Sequence, residues 1–237
     1  MKSVSRKNPA TACSSCSFRS EDSLCDLEGD ARLAFDHLGS ITLVPSGAVI
    51  FMEDDACEAA NVLCSGQVKL SCTSRNGKTL ILKIARAGTV LGLGAVMSGS
   101  KFEVTAQSLV PCTVKRVRRE ELLAFLKLHG EASLQVARIL SEEYKYTFFD
   151  ARRLALSASA VARLAGVLLE LGRNSDPPSK VMQFTMAMTH DDLADLAGTS
   201  RETISRAMGE LRRMGLIEVH GSTVRVTDSA RLMDLTL

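Results

Sequence analysis

The spacing of apolar positions changes along the chain, and each change marks a different kind of structure. Residues 1–30 are polar and turn-rich, without apolar periodicity. From about Ile41 to Val117, short alternating segments are separated by glycines. Ile41-Thr-Leu-Val44 and Ala48-Val-Ile-Phe51 flank Pro45-Ser-Gly47, and Val68, Leu70 and Cys72 alternate with polar residues. Arg75-Asn-Gly-Lys78 precedes Leu80, Leu82 and Ile84 and carries the Asn-Gly pair that a tight hairpin favours; Val114 and Val117 continue the series. Glycines at 47, 66, 77 and 88 space these strands as in a compact antiparallel barrel or roll.

From Glu120 the period becomes helical. A helix over Glu120–Leu128 breaks near Gly130, and a longer run follows with Leu134, Ala137, Ile139, Leu140, Tyr144, Phe148, Ala151 and Leu154. Neither proline nor glycine interrupts residues 131–156. These apolar residues are too many for one buried stripe, which predicts that a second face packs on another subunit. Ser157-Ala-Ser159 reads as a hinge. Val161, Leu164, Val167, Leu168 and Leu171 form a further helix, followed by the turn-rich Arg173–Ser179 and a strand over Val181–Thr185.

The last third contains two short amphipathic segments. Thr189–Ala197 places Leu193, Leu196 and Ala197 on one face, and Gly198 ends it. Ser200 is placed to cap a second helix, in which Ile204, Met208 and Leu211 recur at helical spacing. Two helices joined by a glycine turn predict a helix-turn-helix, whose second helix can enter a DNA major groove. Opposite the apolar stripe lie Arg201, Glu202, Ser205 and Arg206. Arginine can donate twice to guanine O6 and N7, and glutamate can accept from cytosine N4. Ser200 and Thr203 complete the candidate DNA-contacting set. Leu216–Val219 and Thr223–Val226, around His220-Gly-Ser222, predict a two-stranded wing. His129, His190 and His220 fall at helix or wing edges, where solvent exposure is expected.

Composition narrows the picture. A chain of 237 residues with 46% hydrophobic and 24% charged content suits two modest globular domains. No apolar run approaches the ~18 residues that span a bilayer, and the N-terminus lacks a signal peptide's apolar core, so a cytoplasmic location is expected. Net charge is only +2, and residues 158–237 hold 9 Lys and Arg against 10 Asp and Glu. DNA affinity must therefore come from local clustering, as at Arg201, Arg206, Arg212 and Arg213. No catalytic triad, phosphate-binding glycine loop or paired-carboxylate arrangement appears, so an enzyme is not expected.

Cys13, Cys16 and Cys25 give the spacing C-x2-C-x8-C. In a reducing compartment such thiolates more often bind metal or act in redox chemistry than form disulfides. Iron–sulfur clusters and zinc are the usual partners. A four-coordinate site needs one more ligand, from His37 or a distant cysteine. Cys57, Cys64 and Cys72 sit in or beside strands and are expected to be buried as small hydrophobes.

The order of roll, long helix and winged helix-turn-helix resembles the Crp/Fnr family of bacterial transcription regulators across nearly the whole chain. The marks are Ser200-Arg-Glu-Thr-Ile-Ser-Arg206, Leu216-Ile with its wing, and Gly88-x-Val-x-Gly92. The resemblance implies an α+β chain. Its parts are a Cys-bearing segment (1–30), an antiparallel β-roll sensor of the cyclic-nucleotide-binding type (31–128), a dimerisation helix (129–157) and a winged helix-turn-helix (158–237). It also implies a homodimer on a palindromic promoter site in double-stranded DNA, and contact with RNA polymerase if the protein activates. Glu202, Ser205 and Arg206 match base-reading residues of the Fnr-like branch, and Arg201 a contact of the Crp-like branch. Cyclic-AMP binders carry a Glu where Leu93 stands and an Arg-Ser or Arg-Thr pair where Lys101-Phe-Glu-Val-Thr-Ala106 stands, without arginine here, which argues against cyclic AMP. Fnr-like oxygen sensors hold a [4Fe–4S] cluster on four cysteines. Cys13, Cys16 and Cys25 resemble the first three and Cys112 is the nearest fourth, although alignment puts Lys115 at that position. A zinc or thiol switch, and no cofactor at all, stand beside the cluster. The competing function is a redox protein or thiol sensor whose helix-turn-helix serves only as scaffold.

Overall fold

The computed structural model describes residue 16 and residues 23–157, 159–173 and 182–236. By packing, the chain divides into two compact units, one running to Leu70 and resuming over Ile84–Tyr144, the other joining Ser71–Lys83 to Lys145–Leu237.

In the first unit a 3-10 turn, Leu24–Asp26, leads into helix α1, Gly29–His37. The roll then comprises β1 (Ser40–Val44), β2 (Val49–Phe51), β3 (Ala59–Ser65), β4 (Gln67–Thr73), β5 (Thr79–Arg86), β6 (Val90–Leu91), β7 (Thr105–Ser108) and β8 (Cys112–Arg118). A short helix, α2 (Leu93–Ser98), lies between β6 and β7. The strands form two sheets with orders β1-β8-β3-β6 and β2-β7-β4-β5, so apart from the β4–β5 hairpin successive strands cross from sheet to sheet as expected for a roll. The long antiparallel ladder of β3 on β8, from Ala59 opposite Arg118 to Ser65 opposite Thr113, runs through its centre. Helices α3 (Arg119–Leu128) and α4 (Gly130–Leu156) follow, with the break at His129.

Two apolar clusters hold this unit together. One lies inside the roll and includes Leu63, Val68, Leu91 and Val114, with Phe51 and Phe102 stacked at a ring separation of 3.8 Å. The other joins Leu24 and Phe35 to Leu122, Phe125 and Val136, fastening α1, α3 and the start of α4 to β3 and β8. Beside this second cluster stands Lys115, only 2% exposed. Its Nζ donates to the carbonyls of Phe35 at 2.5 Å and Asp36 at 3.0 Å, and lies 4.7 Å from the Phe35 ring centre. The last carbonyls of a helix lack partners within the helix and carry its negative pole, so the end of α1 suits a buried ammonium. Lys115 thereby ties α1 to β8. Cys57, Cys64 and Cys72 are half-buried rather than buried, and each thiol reaches a backbone carbonyl.

Besides Ser71–Lys83 and the end of α4 from Lys145, the second unit carries α5 (Ala160–Arg173), β9 (Met182–Thr185), α6 (His190–Leu196), α7 (Arg201–Arg213), β10 (Ile217–His220), β11 (Thr223–Val226) and α8 (Ser229–Asp234). Ser159 begins α5 by accepting from the Ala162 N–H at 3.1 Å. The wing has three strands, ordered β10-β11-β9, rather than two: Phe184 of β9 pairs with Val224 and shares its buried side. Helix α8 was not expected. It forms because Asp228 caps it, accepting from the Arg231 N–H, while Leu232 is fully buried.

Replacing Lys115 with Ala removes the ammonium's bonds to two carbonyls, of which that of Phe35 keeps only the Leu38 N–H, and opens a cavity. The expected loss is about 2–4 kcal/mol, read as a lower urea midpoint; an unchanged midpoint would show that the tie contributes nothing.

Candidate nucleic-acid interface

The helix-turn-helix is built by paired caps and one turn. Thr189 accepts from the Asp192 N–H at 3.1 Å, and the Asp192 carboxylate accepts from the Thr189 N–H at 2.9 Å. This reciprocal capping box starts α6. Gly198 follows with φ +62°, and the Thr199 N–H returns to the Ala194 carbonyl at 2.9 Å. From α5, Arg163 Nε donates to the Ala197 carbonyl at 2.8 Å, pinning the turn. Ser200 then caps α7 as expected, accepting from the Thr203 N–H at 3.3 Å.

Helix α7 buries Ile204, Ala207, Met208 and Leu211. With that stripe fixed, Arg201, Glu202, Ser205 and Arg206 are all exposed at its N-terminal half. Thr203 is half-buried; its hydroxyl lies 3.0 Å from that of Ser200 and accepts from Arg206 Nη2 at 3.5 Å. Ser200 and Thr203 therefore shape the helix start and steer Arg206. The backbone N–H of Glu202, then the Ser200 hydroxyl, hold the Glu202 carboxyl below its usual range, with further help from Arg201 and Arg206. It remains an acceptor at neutral pH.

Two contacts lie outside what spacing predicts. Asp191 accepts from Arg201 Nη1 at 3.3 Å, and His190 Nδ1 lies 3.2 Å from Ser205 Oγ. His190 is exposed as expected, but it is bonded to the recognition helix. His220 is exposed, whereas His129 is half-buried, its ring 4.7 Å from that of Phe125.

A Crp-like helix-turn-helix domain matches residues 162–235, and a cyclic nucleotide-binding domain matches residues 42–129. The chain belongs to the Crp/Fnr family. It is similar to the cyclic AMP receptor protein of Thermus thermophilus, at 27% identity over 81% of this chain and 86% of that protein. It is also similar to the anaerobic regulatory protein of Pasteurella multocida, at 26% identity over 81% of this chain and 70% of that one. Its fold matches the structure of FixK2 from Bradyrhizobium japonicum with a TM-score of 0.76, at 22% identity over 84% of this chain and 98% of that one. This Crp/Fnr chain is thus a transcription regulator with a DNA-binding helix-turn-helix, not an enzyme. Among the described residues, no helix is long and apolar enough to cross a membrane.

Of the four cysteines that resemble the Fnr-like set, Cys16, Cys25 and Cys112 lie among the described residues. Cys13 lies outside the described residues. Cys16 is half-buried, and Cys25 packs against the cluster around Phe35. Cys112 belongs instead to the cluster inside the roll, 3% exposed. Its Sγ donates to the carbonyls of Val110 at 3.1 Å and Gln67 at 3.4 Å, and burial pushes the thiol up. Cluster ligation requires a thiolate, which this environment disfavours. Among the described residues, no group of three or more His, Cys, Asp or Glu could hold a metal ion. The donors present do not fit an iron–sulfur cluster completed by Cys112, and the aligned position holds Lys115, already committed to α1. Cys112 is a core residue.

Ser200→Ala removes the cap on which the reading face depends. It should cost about 1 kcal/mol, seen as a lower melting temperature of the DNA-binding unit; Ser200→Asn should recover most of the loss.

Proposed function

We propose that this regulator binds a palindromic promoter site as a homodimer, reading base edges with Arg201, Glu202, Ser205 and Arg206. The observation that carries the reading is the exposure of all four on one face of α7, whose opposite stripe is buried. An arginine, a carboxylate held ionised and a serine supply donors and acceptors of both kinds. Residues 158–237 serve as the DNA-binding part, 31–128 as the sensor roll and 129–157 as the dimerisation helix. The exposed aromatics of α4 support the last role: Tyr144 is 73% and Phe148 62% exposed. Two copies would then set half-sites about one helical turn, ~34 Å, apart. The protein acts in the cytoplasm, and as an activator it would also touch RNA polymerase.

The effector we infer is a small ligand or redox signal other than cyclic AMP. Leu93, at the position where cyclic-AMP binders carry Glu, is 1% exposed and packs into the core. Phe102 is 5% exposed and fills the roll against Phe51; a Cβ on Gly92 would come within 2.5 Å of its ring. Neither side chain can hold a ribose hydroxyl or a cyclic phosphate, and a buried phosphate without a guanidinium would be poorly compensated.

Arg206→Ala should lose about 1–3 kcal/mol at one base pair of the specific site, while binding to random duplex in a gel shift stays unchanged. Equal loss on both would remove Arg206 from base reading. Titration calorimetry with cyclic AMP should give no binding heat, and micromolar binding would overturn the inference about the effector.

A further inference from the structure

Two of the four proposed base readers are already engaged by the first turn of α6. Ser205 Oγ lies 3.2 Å from His190 Nδ1, and Arg201 Nη1 donates to Asp191 at 3.3 Å. All four residues are exposed, so these contacts contribute little to stability. Their consequence lies in what the side chains can offer to DNA.

We propose that His190 is a specificity-determining positioning residue that fixes the hydrogen-bond polarity Ser205 presents to a base edge. The proposal rests on the reading of Ser205 as a base contact. A serine hydroxyl holds one proton and two lone pairs, so a free Ser205 can donate to guanine O6 or thymine O4 and equally accept from the amino groups of adenine or cytosine. The bond to His190 ties the polarity of Ser205 to the imidazole tautomer. When Nδ1 accepts, the hydroxyl proton is used and Oγ faces the groove as an acceptor. When Nδ1 carries a proton and donates, Oγ accepts it and the hydroxyl proton remains for the base. The first arrangement also fixes the hydroxyl rotor before DNA arrives, and a preset group loses less freedom on binding. Alanine at 190 frees the rotor and restores both polarities, so discrimination at that base pair falls while the fold is untouched.

The test uses the full chain, the palindrome it selects, and versions of that site with each base pair replaced in turn. Wild type is compared with Ser205→Ala, His190→Ala, the double variant and His190→Asn. Ser205→Ala should lower discrimination at one base pair. His190→Ala should lower it at the same base pair by about fivefold, the worth of one hydrogen bond. The double variant should be no worse than Ser205→Ala alone, and His190→Asn, whose amide can reach the place of Nδ1, should recover most of the effect. Multiplying losses in the double variant would overturn the proposal. So would a uniform loss on every site and on random duplex, which would make His190 a phosphate contact. If Ser205→Ala leaves every base pair unaffected, the base-reading assignment of Ser205 fails first and the proposal falls with it.

Discussion

The DNA-facing surface of this regulator depends on one turn. Gly198 takes φ +62°, a conformation that side chains with a Cβ adopt at a cost. The Ala194 carbonyl closes the turn on the Thr199 N–H, and Arg163 holds the Ala197 carbonyl from α5. The capped ends at Thr189 and Ser200 then start two helices at a fixed angle. With the turn closed, Ile204, Ala207, Met208 and Leu211 can all be buried together. Their burial decides the rotation of α7, and that rotation decides which side chains meet DNA.

Electrostatics in this unit works by placement. Residues 158–237 are net negative by one charge, 9 basic against 10 acidic, so no broad field draws DNA in. Arginines at the helix start must therefore be aimed. Arg206 is held by Thr203 and Arg201 by Asp191, and Glu202 is kept ionised by its own backbone N–H. The preset geometry offsets part of the ordering cost that free arginine side chains would incur on binding. A similar economy appears in the roll, where Lys115 ties α1 to the sheet at the position that an Fnr-like alignment gives to a cysteine.

Much of the architecture was legible because it depends on local patterns. Asn76-Gly77 marked the β4–β5 hairpin, and Gly77 does adopt φ +81°. Ser200 marked the start of α7, and the Ile204, Met208 and Leu211 spacing marked its buried side. The features that escaped are tertiary. Strand β9 has four residues, one of them Gln183, and becomes a wing strand only through pairing with β11. A lysine in a strand reads as a surface residue; Lys115 is buried because carbonyls about 80 positions earlier in the chain receive it. Cysteine spacing cannot report which side of β8 faces the roll, so Cys112 looked like a ligand and is a core residue. The bond from His190 to Ser205 spans 15 positions and follows no sequence period. The grouping of the Ser71–Lys83 hairpin tip with the C-terminal half likewise follows packing alone.

The central claim is that α7, carried in two symmetric copies, reads a defined sequence. Selection of bound fragments from a random duplex library by the purified full-length protein tests it most directly. The account predicts enrichment of a two-fold symmetric site whose half-sites are centred about one helical turn, ~34 Å, apart. Recovery of an asymmetric single site, or no enrichment over the starting library, would contradict it.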